Sequence, residues 1–72
     1  MKRAAAIGDD RRLAGYRLAG VEVTHAGSAA EAEAAWAALD DEAGLLLLTP
    51  DAHAALAPRL AERDIVWVVV PS

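Results

Sequence analysis

Two short runs of uninterrupted apolar residues constrain this chain more than any other feature. Leu45-Leu46-Leu47-Leu48 and Ile65-Val66-Trp67-Val68-Val69-Val70 carry no alternation and are short for buried helices. They read as strands covered on both faces, the mark of a parallel sheet. Gly44 and Thr49-Pro50 bound the first run, and the second is β-branched at every position but Trp67. Lys2 to Ile7 reads as a weaker strand whose alanines let helices pack closely. Val21-Glu22-Val23-Thr24-His25 alternates apolar and polar residues, as a half-exposed edge strand does.

Helical signals fill the gaps. Asp9 is placed to cap a first helix carrying Leu13, Tyr16 and Ala19, and Gly20 is placed to end it. Ser28 and Glu31 stand at capping-box spacing, with Ala29, Ala32, Trp36 and Leu39 recurring on one stripe behind them. Thr49 caps a third helix with Pro50 at its first position. Pro58 is expected to break or kink that helix, because it cannot donate to residue 54. The order is β-α-β-α-β-α-β. Right-handed crossovers then predict an α/β fold: a small four-stranded parallel doubly wound sheet, order 2-1-3-4, with three flanking helices.

One feature of that fold is unsatisfied. Strand 65–70 falls on an open edge, where six apolar residues make an aggregation template. The sequence ends at Pro71-Ser72, two residues later. The expectation is one α/β domain over residues 1–72 whose bare edge is covered by a further element of the working protein beyond Ser72 or by a docked partner; a strand overlooked in the sequence, or a tolerated edge, is the other reading.

Composition excludes several classes of function. There is no cysteine, so neither a disulfide nor a thiolate metal site supports the core of a chain in which 19 of the apolar residues are alanine. Eleven acidic against seven basic side chains give a net charge of −4, with no basic stripe to replace counterions on a nucleic acid. No apolar run approaches the roughly 20 residues of a membrane helix. Met1-Lys2-Arg3 leads into three alanines and then Gly8-Asp9-Asp10, which is no signal peptide. The sequence therefore predicts a soluble cytoplasmic domain with neither a nucleic-acid partner nor direct membrane insertion.

Ligands of open α/β sheets collect at the carboxyl ends of the strands, near the switch point. Here that edge is Gly8-Asp9-Asp10 and Thr49-Pro50-Asp51. Three carboxylates suit Mg²⁺, yet the third strand ends in Thr49, and the acids have structural uses: Asp9 caps a helix, while Asp10 and Asp51 favour helix N-terminal dipoles. No metal is expected. Gly8, Gly15 and Gly20 do not form a dinucleotide fingerprint, and no phosphate-binding G-x-x-x-x-G-K-[ST] is present, so no cofactor is expected either. His25 and His53 have no ligand partners at metal-site spacing and read as solvent-facing. Ser28 is accounted for by its cap, which leaves no nucleophile with a base: the chain does not read as an enzyme. Gly15 costs about 1 kcal/mol inside a helix relative to alanine. Its presence implies a close approach, either by the chain's own sheet or by a partner over Tyr16 and Arg17, residue types enriched at interfaces.

Ala5-Ala6-Ile7-Gly8-Asp9 followed by Gly15-Tyr16-Arg17-Leu18-Ala19-Gly20-Val21 resembles the opening of the F subunit of V-type (A/V-type) ATP synthases. That family has a strand ending in Ile-Gly-Asp and a helix ending in Gly-Phe-Arg-Leu-Ala-Gly. The apolar third strand and a fourth running into Pro71-Ser72 also fit, so the similarity spans essentially the whole chain. Tyr16 stands for Phe, and Arg11-Arg12 departs from the small hydroxyl residues common there. The resemblance implies a non-catalytic component of the central rotor stalk. Such a component binds the coiled-coil stalk subunit, couples ATP turnover to ion transport, and lies at the membrane periphery through the complex. It also implies structural or interface roles for Gly8, Asp9, Gly15, Arg17 and Gly20; Tyr16, Arg17 and Trp67 are the expected partner contacts. The family's C-terminal helical segment is absent from this sequence. The alternative is of another class: Asp9-Asp10 also suits a response-regulator receiver, although that fold wants an aspartate where Thr49 stands and a fifth strand with a lysine. A degenerate receiver, or a generic α/β interaction module, is the second reading.

Overall fold

The computed structural model describes residues 2–71. Four parallel strands, β1 (Arg3–Gly8), β2 (Glu22–His25), β3 (Ala43–Leu48) and β4 (Val66–Val69), form one sheet in the order β2-β1-β3-β4. The expected doubly wound order is found, with its switch point between β1 and β3. Helix α1 (Asp10–Leu18) crosses one face, while α2 (Ala29–Ala38) and α3 (Pro50–Leu56) pack side by side on the other. The third helix gives way at its proline: residues Ala57–Glu62, which include Pro58, continue as a 3₁₀ helix.

Register assigns each strand residue to a face. Ala5, Leu46 and Trp67 align across the sheet, as do Ile7, Leu48 and Val69. On that side Ile7, Leu46 and Leu48 bury against Ala32, Ala35, Trp36, Leu56 and Leu60, which makes the main core. On the α1 side the alignments are Ala4-Leu45-Val66 and Ala6-Leu47-Val68. There the buried cluster is only Ala6, Leu13 and Val70, with Tyr16, Val21, Val23 and Leu47 packed around it. Neither strand read as covered on both faces is so covered: β3 buries Leu46 and Leu48 but leaves Leu45 and Leu47 half-buried, and β4 leaves Val66, Trp67 and Val68 exposed. A four-stranded sheet is about two helices wide, and the α1 side has one.

The helix caps follow the sequence with one shift. Asp9 accepts from the Arg11 N–H at 3.2 Å and Thr49 from the Ala52 N–H at 3.4 Å. Ser28 Oγ accepts from the Glu31 N–H, but Glu31 reaches past Ser28 to the Gly27 N–H at 2.7 Å. At the end of α1 the Val21 N–H donates to the Tyr16 carbonyl and the Gly20 N–H to that of Arg17, a Schellman closure that requires the positive φ of Gly20, +91°. Two stripe positions need correcting. Ala29 is exposed in the opening turn of α2, where Ala35 takes the buried place, and Ala19 is the exposed C-cap of α1.

Gly15 also departs from expectation. Among the described residues, no atom beyond its chain neighbours and its own helix backbone lies within 4 Å of where its Cβ would be, so the chain's own sheet does not explain the glycine. Gly15→Ala is expected to stabilise the isolated domain by about 0.5–1 kcal/mol, read from urea unfolding midpoints.

Candidate functional site

The loops at the carboxyl ends of β1, β2 and β3 surround a cavity of ≈ 500 Å³ at the switch point, lined by Asp9, Arg12, Gly27, Ser28, Thr49 and Asp51 among others. Strand-to-helix turns bring these side chains together, as the winding of the sheet dictates. Their chemistry is already committed to structure. Asp9, Ser28 and Thr49 each accept a backbone N–H at a helix start. His25 is exposed, as read, and its Nδ1 accepts from the Asp10 N–H at 3.2 Å, which helps to cap α1. Among the described residues neither Ser28 nor Thr49 is hydrogen-bonded to a base, and both Asp9 and Asp51 oppose phosphate there. Among the described residues no group of three or more histidine, cysteine or carboxylate side chains is arranged to hold a metal. At the receiver position after β3, Thr49 is 2% exposed and caps α3.

The charged side chains with displaced pKa values lie away from this cavity. Asp40 is held below the usual carboxylate range, first by the Arg3 guanidinium donating to it at 2.7 Å, and Arg3 is raised in turn. Arg59 is raised by its bond to Glu33, which ties the 3₁₀ segment to α2. Because the folded-state pKa of Asp40 is depressed, its contribution is present above the unfolded value and is lost as pH falls below about 4. Asp40→Asn is therefore expected to flatten the acid limb of a stability–pH profile while leaving the limb above pH ~6 parallel to that of the native chain.

The structure separates the expected partner contacts. Tyr16 is half-buried, packed on the Leu13–Val70 cluster. Arg17 is exposed and pairs with Asp10 at 2.7 Å, two turns away along α1. Trp67 lies on the opposite face of the sheet, 40% exposed with its ring centroid 5.0 Å from that of His53, which is partly buried rather than free in solvent. Gly8 and Asp9 belong to the switch point, Gly15 is open, and Gly20 closes α1.

Sequence reasoning singled out the open edge of the last strand but not the exposed face beside it. Val66 is 65% and Val68 48% exposed on the α1 side of β4, and Leu18, at the end of α1, is 91% exposed. Counting helices per face would have found the first two, since one crossover helix cannot span four strands. Among the described residues no helix is long and apolar enough to cross a membrane.

A family model described as ATP synthase (F/14-kDa) subunit matches residues 4–71. No curated protein matches the chain.

Proposed function

The chain belongs to the family of ATP synthase (F/14-kDa) subunits, and we propose that it works as the non-catalytic central-stalk component, the F subunit, of a V-type rotary ATP synthase. In that reading it binds the coiled-coil stalk subunit, takes part in coupling ATP turnover to ion transport, and is peripheral to the membrane through the complex. The family match over residues 4–71 is the observation that carries the reading. The cavity supports it in that Asp9, Ser28 and Thr49, three of its polar side chains, serve as helix caps.

The α1 segment supports the partner surface. Among the described residues nothing beyond its own helix lies against Gly15, and Tyr16 and Arg17 follow it, so a close approach at this glycine is left to another protein of the complex. Co-elution with the coiled-coil stalk subunit of the same organism's ATP synthase tests this. The native chain is expected to co-elute, and the double change Tyr16→Ala and Arg17→Ala to reduce co-elution. Co-elution unaffected by that double change removes the assigned surface, and no co-elution of the native chain counts against the stalk role.

A further inference from the structure

We propose that the uncovered half of the α1 side of the sheet is a docking groove for one amphipathic helix of another protein chain, with acidic residues along the flank that faces α1. The floor is Leu45 and Leu47 of β3, both partly buried, with the exposed Val66 and Val68 of β4 beside them in register. Two strands are about 10 Å across, the width of one helix, and four residues of strand run about 13 Å, some nine residues of helix. One wall is the flank of α1 that carries Tyr16 and Arg12, four residues apart. Tyr16 packs in the cluster that includes Leu47, and Arg12 reaches the cavity beside Thr49 and Asp51 on the β3 side. At the far end the groove is closed where Val70 buries with Leu13.

Charge selects the occupant. Helix α1 carries three arginines against one aspartate, although the chain is −4 overall and residues 29–62 carry seven acids against one arginine. Arg17 is paired with Asp10, while Arg11 and Arg12 are exposed and take part in no ion pair among the described residues. An acidic flank meets a basic wall here, whereas a basic helix is drawn to the opposite side of the molecule. A second copy seated about a two-fold axis would bring α1 against α1, arginine facing arginine, which disfavours self-association on this face. The groove does not depend on the stalk reading: failure of either leaves the other standing.

The test is a ¹⁵N-amide NMR titration of the chain with two synthetic helical peptides of about sixteen residues. Both carry one leucine stripe, flanked by glutamate in one peptide and by lysine in the other. The glutamate peptide is expected to shift the amides of Leu45, Leu47, Val66, Val68 and Tyr16, and to bind about two- to fivefold tighter than the lysine peptide. Arg12→Glu, an exposed change that leaves the core intact, is expected to invert that preference, and Val68→Glu to abolish binding. Equal affinity for the two peptides, shifts confined to α2 and α3, or no shift at all overturns the proposal. So does a dimer in sedimentation that Val68→Glu dissolves, which would make the occupant a second copy.

Discussion

Gly8→Ala is expected to destabilise the domain by roughly 3 kcal/mol or more, from overpacking and backbone strain together. Gly8 ends β1 with φ +153°, a conformation that side chains rarely adopt, and a Cβ there would overlap the side chain of Thr49. Thr49 has nowhere to go. It is buried, its hydroxyl caps α3, and its N–H donates to the Ile7 carbonyl across the switch point. The Gly8 carbonyl meanwhile accepts from the Ala26 N–H at 2.8 Å, holding the end of β2 in place. One added methyl group therefore disturbs the start of α3 and the pairing of β1 with both neighbours. Urea unfolding reads the loss as a lower midpoint; an unchanged midpoint would show that Thr49 can move aside. Gly20→Ala is the milder comparison, because Gly20 has a positive φ but open space where the Cβ would sit.

Trp36→Ala is expected to cost about 3–5 kcal/mol. Trp36 is the largest side chain of the main core, 4% exposed between Ala32 and Ala35 on α2 and the sheet. In a core otherwise rich in alanine nothing nearby can collapse into the space it leaves. Its outer face is covered by the Arg63 guanidinium, 4.9 Å from the ring centre, and Arg63 also donates to the Leu39 carbonyl at the end of α2. The change thus opens a cavity and loosens the turn between the 3₁₀ segment and β4. A domain of this length has a total stability of about 4–11 kcal/mol, so the variant is expected to be largely unfolded or close to it at 37 °C. A cooperative melt within a few degrees of the native one would contradict the assignment of Trp36 as the centre of the core.

The features legible in the sequence are those set by local chemistry. Thr49-Pro50 and Ser28 announce helix starts because a side-chain oxygen there accepts one of the first free N–H groups. Gly20 announces an end because αL closure favours glycine. The β-branched run at 65–70 can hardly be anything but a strand, and the alternation with helices leaves few topologies besides 2-1-3-4. What is not legible depends on geometry between elements. Leu45 to Leu48 look alike in sequence, yet Leu46 and Leu48 are fully buried while Leu45 and Leu47 are not, because the two faces hold different numbers of helices. Glu31 bonds to Gly27 rather than to Ser28, and His25 reaches Asp10, because loop conformation decides which N–H comes within reach. The glycine at 15 suggests a close approach in the chain, and the open space around it shows that none occurs within the domain.

The central claim, that this member of the family of ATP synthase (F/14-kDa) subunits belongs to the stalk, is tested most directly by calorimetry, titrating the chain into the same organism's coiled-coil stalk subunit. One-to-one binding at micromolar affinity or tighter, about −8 kcal/mol or more favourable, is the predicted result. The absence of heat and of complex at concentrations well above that range would contradict it.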